Sequence, residues 1–454
     1  MRRITDRIRR SALLPAVGAN IATQVALAVA QLAVVPAFAL HWGAETYGVW
    51  LMLFTIPSYL AVADLGLASA AGNDMAAAVA REQRSAAAAT YRAVRVAVLA
   101  MSGLILAGAL LVARADFRWL QEAQAASGGH AGTLFLLVTL YGLLGLQNGV
   151  TAAGMRATGG YAAAGSIAAI GFLGEALLAL LLLRAGCGLA GVASGYLAVR
   201  AVTSLVLAAT LARRAPWLVP WRGSERAPLE QLWRPALAAA ALPVAQAASL
   251  QGTVLVIGLA AGAGAVPAFT AVRTLSRVAI QAILLVNHAV MPSVTVADAV
   301  ADRRQVAGYA ALSHLSACAV AVPGALLLLI AGQPLVRMWT GGALQPSFGL
   351  VAAMAATMLL NALWQPASNL LLATNRHERF AWLYAAAALA ALALCYPLTR
   401  RLGAAGAALS LLVVDATMLW RVGSLSRQFG LLDLRSIVVQ LRALTGATRP
   451  GRAA

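Results

Sequence analysis

Six charged residues stand inside long apolar runs of this 454-residue chain: Asp64, Glu175, Arg200, Arg273, Arg277 and Asp415. A charge at the centre of a bilayer costs about 2.5–3.5 kcal/mol on insertion scales, so such residues point to function. Arg273 and Arg277 are spaced i, i+4 and share one helix face, which Gln281 continues. Two guanidiniums on one wall make a site for a phosphate or diphosphate, because Arg offers a planar fork of donors and stays charged when desolvated. The alternative is that both pair with Asp64, Glu175 or Asp415 and merely hold helices together.

A second set of candidates is neutral. Asn361, Gln365 and Asn369 fall at i, i+4, i+8, and Asn20, Gln24 and Gln31 lie on a similar stripe. Amides donate and accept, which suits sugar hydroxyls in a hydrated cavity. They equally suit hydrogen bonds between helices, commonly worth about 0.6 kcal/mol each. Asp64, in the segment DLGL, either bonds the N-terminal Arg cluster or acts in gating. Glu175 is a protonatable group suited to coupling, or a structural one. His288 and His314 stand in no metal-ligand pattern, and Cys187, Cys318 and Cys395 have no ligand or disulfide spacing. There is no nucleotide-binding loop, zinc motif or nucleophile elbow, so no cofactor is expected.

The elements that must carry these residues follow from composition. Hydrophobic residues make up 61% and charged residues 11%, where a soluble domain runs about 45–50% and about 25%. Disorder, coiled coil and collagen are excluded, and a water-soluble enzyme is argued against. A helix needs about 20 apolar residues to cross a core of about 30 Å. Twelve runs meet that length, near 14–38, 47–70, 93–112, 133–153, 162–183, 189–211, 235–261, 268–290, 310–331, 348–372, 380–398 and 404–425. The fold class is therefore an all-α polytopic membrane protein. Its expected organisation is an N-terminal six-helix lobe over 1–211, a cytoplasmic linker at 212–234, a C-terminal lobe over 235–425 and a cytoplasmic tail at 426–454. The short connections leave no room for an outer catalytic domain, and the chain is not expected to be an enzyme.

The formal net charge is +19, and all 34 basic residues are Arg. In a soluble protein that balance suggests nucleic acid. With the N-terminus inside, 25 Arg fall on inner segments, six on outer ones, and three within spans. That bias places both termini in the cytoplasm and accounts for the charge without nucleic acid. The halves also repeat weakly: GLAGVAS from Gly188 answers GAAGAAL from Gly403, and the same offset sets Arg200 opposite Asp415. Those two either pair across the lobes or face separate partners.

At this point a family resemblance emerges. The stretch GAETYGVW from Gly43, DLGL from Asp64, GQPLVRMWTG from Gly332 and GAAGAA from Gly403 resemble the polysaccharide-export branch of the multidrug/oligosaccharidyl-lipid/polysaccharide flippase superfamily. The resemblance covers nearly the whole chain. It implies two pseudo-symmetric six-helix lobes forming a V in a bacterial inner membrane. It also implies a substrate, a polyprenyl-diphosphate-linked oligosaccharide of the O-antigen type, moved from the cytoplasmic to the periplasmic leaflet. A polysaccharide polymerase and glycosyltransferases would be its partners beside the lipid bilayer. Drug-extruding relatives usually carry carboxylates in span one or in spans seven and ten, where this chain has only amides, among them Gln246 and Gln251. On the resemblance, Arg273, Arg277, Gln281, Arg200, Gln24, Asn361, Gln365 and Asn369 would bind substrate, with Asp64, Glu175 and Asp415 in coupling or gating. The competing expectation is a cation- or proton-coupled exporter of drugs or metabolites.

Overall fold

A bilayer core has no water to satisfy peptide groups, so a spanning segment must pair its own N–H and C=O groups, and the α-helix does so within one segment. The structure, a computed structural model, describes residues 2–114, 129–219, 229–374 and 378–429. Every regular element among them is helical. In chain order they are α1 (Arg2–Leu53), α2 (Thr55–Leu60), α3 (Leu67–Ala80), α4 (Arg84–Arg114), α5 (Ala131–Ala157), α6 (Tyr161–Arg184), α7 (Leu189–Arg214) and α8 (Leu229–Ala261). A 3₁₀ turn (Ala263–Ala265) leads to α9 (Val266–Ala299), α10 (Arg303–Trp339), α11 (Phe348–Ala373), α12 (Glu378–Leu402) and α13 (Ala404–Gln428). The expected amphipathic tail and most of the 212–234 linker lie outside the described residues, as do the side chains of Asn20 and His288.

Among the described residues, eleven helical segments are long and apolar enough to cross a membrane. The first, Gln24–Leu60, takes in the end of the first expected span and the start of the second. The two are separated inside α1 at Gly43, whose backbone (φ 71°, ψ 174°) is not helical. The second expected span is not one continuous helix. It breaks at Phe54, runs through α2, and turns at 61–66 before α3 begins. The cause is local. Gly66 (φ 77°) and Leu65 (φ 48°) have left-handed backbone, and Asp64 folds its carboxylate over the turn. Its Oδ1 accepts from Gly66 N at 3.1 Å and its Oδ2 from Ala68 N at 2.9 Å. Asp64 thus caps the start of α3, where amide donors lack partners within the helix.

The chain divides into two compact units, residues 1–267 and 268–454. In the first, α5 packs on α4, α7, α2 and α3, and α6 packs on α1 and α7. Its core is built largely of small residues, with Ala71, Ala87, Ala153, Val94 and Val150 all buried. Small side chains let helix backbones approach closely, which lipid-facing Leu and Ile do not need to do. Leu104 and Ile170, on the outer surface, are 76% and 70% exposed. Helix α8 packs on α1, α2 and α3. The approach is close. Gly258 of α8 lies against Met52, and Gly48 of α1 lies so close to the Ala263 carbonyl that a Cβ would collide with it.

In the second unit α11 packs on α10 and α13, and α12 packs on α13. Ile283 of α9 seats against Ala317 and Ala321 of α10 and Ala362 of α11. Helix α10 begins on the N-cap Asp302, which accepts from Gln305 N at 3.0 Å through Oδ1 and from the Gln305 side-chain amide at 2.8 Å through Oδ2.

Candidate functional site

In the first unit the buried charges form a closed cluster. Glu175 of α6, 5% exposed at its side chain, meets Arg200 of α7. Arg200 Nε donates to Glu175 Oε1 at 2.8 Å, and Nη2 donates to Oε2 at 3.1 Å. Such fork-to-fork pairing is the strongest geometry open to an ion pair. Tyr141 of α5 completes it: its hydroxyl donates to Glu175 Oε2 at 2.9 Å and accepts from Arg200 Nη2. The guanidinium also lies 4.3 Å from the Tyr141 ring centroid and 5.6 Å from that of Phe172. A cavity of about 100 Å³ opens beside the pair, lined among others by Asn148, Phe172 and Thr203.

Arg200 thus has a partner within its own unit, as one of the two expectations for it held. The true pairing had a readable signal. Glu175 lies about 14 Å before the end of α6, and Arg200 about 17 Å after the start of α7, at 1.5 Å per residue. Two consecutive antiparallel helices thus carry opposite charges at matching depth. Tyr141 is the residue the sequence reading missed. A tyrosine in mid-span, away from the interfaces where Tyr and Trp usually gather, was its only mark.

In the second unit Asp415 of α13 is 5% exposed. Its Oδ1 accepts from Trp364 Nε1 of α11 at 2.8 Å and from Asn361 Nδ2 at 3.4 Å. No cationic side chain pairs with it among the described residues. Trp364, also missed from sequence, is held between Asp415 and Tyr384, whose ring centroid lies 6.4 Å away.

Arg273, Arg277 and Gln281 of α9 are all half-buried. The Arg273 guanidinium lies 5.2 Å from the Phe269 ring centroid. Arg277 makes no hydrogen bond or ion pair with any described residue. The three carboxylates read from the sequence as its partners are engaged elsewhere, Glu175 and Asp64 within the first unit by Arg200 and by backbone N–H groups, and Asp415 within the second by Trp364 and Asn361. The amide stripe of α11 divides. Asn361 is turned to Asp415, Gln365 is half-buried, and Asn369 Nδ2 is buried without a partner among the described residues. Gln24 of α1 is half-buried. Within the first unit Arg200 and Glu175 meet, within the second Asn361 and Asp415 meet, and Arg277 has no anionic partner among the described residues. Among the described residues no group of His, Cys, Asp or Glu is placed to hold a metal ion.

No family model matches the sequence, and no curated protein does. Solved structures do match. One is a multidrug resistance MATE family transporter of the MOP superfamily in an inward-facing conformation. It is 16% identical over 89% of this chain and 96% of that one, with a TM-score of 0.68. The lipid II flippase MurJ, in an inward closed conformation, is 11% identical over 94% and 90%, with a TM-score of 0.65. A MOP superfamily transporter from Pyrococcus furiosus is 15% identical over 90% and 94%, with a TM-score of 0.53. The chain therefore has the all-helical fold of MOP superfamily transporters and is a multi-pass membrane protein.

The cluster in the first unit makes a prediction. Arg200→Ala leaves a carboxylate buried without its counter-ion and should cost about 3–5 kcal/mol. The double variant Glu175→Gln with Arg200→Gln removes both charges and should cost clearly less than Arg200→Ala. Thermal unfolding of the purified protein in detergent checks this. A double variant no more stable than Arg200→Ala would contradict the pairing.

Proposed function

We propose that this chain is a flippase that moves a polyprenyl-diphosphate-linked oligosaccharide from the cytoplasmic to the periplasmic leaflet by alternating access. The observation that carries the proposal is Arg277, a guanidinium within a spanning helix that no described protein anion neutralises. A cation kept unpaired at that depth needs an anion from elsewhere, and a diphosphate is the anion its fork fits best. Arg273 and Gln281 extend the same face, while Gln365 and Asn369 of the same unit supply amides for sugar hydroxyls. Two structures of this fold lend support. One protein is described as a lipid II flippase, and another as having a binding pocket of reverse polarity that suggests a different function. The prenyl tail would remain in lipid while the headgroup crosses. The proposed setting is the bacterial inner membrane with both termini in the cytoplasm, beside glycosyltransferases and a polymerase of the same polysaccharide.

Moving one negative charge outward down an inside-negative potential gains about 2.3 kcal/mol per 100 mV, so the membrane potential alone can drive the step. The alternative, a cation- or proton-coupled exporter, is favoured by one observation, the Asp415 carboxylate held only by neutral donors. If transport is coupled, we assign the coupling to Asp415 rather than to Glu175, whose charge Arg200 already balances, or to Asp64, which caps α3.

Two outcomes test this reading. In a strain lacking the gene, complementation with Arg277→Ala should leave surface polysaccharide at background while protein level in the membrane equals wild type. Full polysaccharide from that variant, or a deletion strain altered only in drug susceptibility, would overturn the flippase assignment. Asp415→Asn should abolish any response of transport to an imposed pH gradient. A wild-type response from Asp415→Asn would remove Asp415 from coupling.

A further inference from the structure

A second cavity, of about 640 Å³, lies at one end of the first unit, well away from the Glu175–Arg200 pair. Three segments meet there: the α3–α4 turn, the α5–α6 turn and the chain just after α7. Its lining includes Glu82, Arg84, Thr158, Gly159, Arg214 and Trp217. Arg214 closes α7 about 21 Å along the helix from Arg200, a rise that carries the chain from mid-membrane to the headgroup level. The cavity is large enough for a small organic headgroup, since ligand pockets run about 300–1,000 Å³.

Its chemistry is specific. Neither Arg84 nor Arg214 forms an ion pair with a described carboxylate, although Glu82 lines the same cavity. Trp217 packs against the buried core of the unit, beside the fully buried Leu218. The Arg84 guanidinium stands 5.7 Å from the Trp217 ring centroid. One wall therefore offers a guanidinium braced by an indole, and a second guanidinium ends α7. Arg and Trp together at headgroup level suit a phosphate diester on the polar side and glycerol or acyl carbons on the indole.

We propose that this cavity binds the phosphate-bearing headgroup of an anionic phospholipid, held between Arg84 and Arg214 with Trp217 as its apolar wall. The site is separate from Arg277 and does not depend on the transported substrate. The same chemistry would accept a free phosphate, so the experiment must tell the two sources apart.

The purified full-length protein is analysed by native mass spectrometry after delipidation, with phosphatidylglycerol, phosphatidylcholine or inorganic pyrophosphate added. Wild type should retain one phosphatidylglycerol molecule more than the Arg84→Gln, Arg214→Gln double variant. The variant's apparent affinity for that molecule should fall by about tenfold, which loss of charge-assisted hydrogen bonds is sufficient to produce. Phosphatidylcholine retention should be unchanged. A control pair, Arg114→Gln with Arg184→Gln, should retain phosphatidylglycerol as wild type does, and so should Arg277→Gln, which keeps this test separate from the flippase reading. Unchanged unfolding temperatures would confirm that the variants are folded. Equal phosphatidylglycerol retention by wild type and the double variant would overturn the proposal. Displacement of the lipid by millimolar pyrophosphate would overturn the lipid assignment in favour of a soluble phosphate.

Discussion

A bilayer core cannot hydrate a charge, and each ionic group inside it must find its compensation within the protein or from a ligand. The three kinds of charged group described here are three answers to that constraint. Glu175 and Arg200 compensate each other through two parallel hydrogen bonds, with Tyr141 closing the third side. Among the described residues, Asp415 is compensated by the dipoles of Trp364 and Asn361 alone. Arg277 receives no compensation from any described residue. In that order the groups pass from fully paired, to held by neutral donors, to unpaired among the described residues.

The internal repeat gives this ordering its meaning. Arg200 and Asp415 occupy corresponding positions on the sixth and twelfth expected spans, yet carry opposite charges in different surroundings. A buried ion pair seldom adds net stability over a well-packed apolar core, but it fixes which side chains face one another. The Glu175–Arg200 pair fixes α6 against α7 in the first unit, with the aromatic rings of Phe54, Tyr141 and Tyr196 packed tilted and edge-on to one another around Tyr141. The carboxylate in the second unit has no such lock. The two units thus answer the same constraint differently, one by pairing and one by neutral donors.

Much of this was legible in the sequence, because the signal for a spanning helix is long and redundant. The apolar runs located the helices, and the i, i+4 spacing put Arg273 and Arg277 on one face. Two things were not legible. The second span is broken by a turn whose cause is short-range and polar, Asp64 capping across Gly66, and an averaged hydropathy window passes over it. The partner of Arg200 depends on which helices adjoin, which apolar composition does not encode, although matched depth on α6 and α7 hinted at Glu175. The amide stripe of α11 was legible as a stripe only; that Asn361 turns to Asp415 depends on the packing of α13.

We propose that Arg277 awaits a diphosphate. The most direct test is equilibrium binding of the purified protein to a polyprenyl diphosphate and to the matching monophosphate, compared with Arg277→Gln. Wild type should prefer the diphosphate by about tenfold, the scale of a charge-assisted bidentate contact, and Arg277→Gln should lose that preference. Equal preference in wild type and variant would contradict the account.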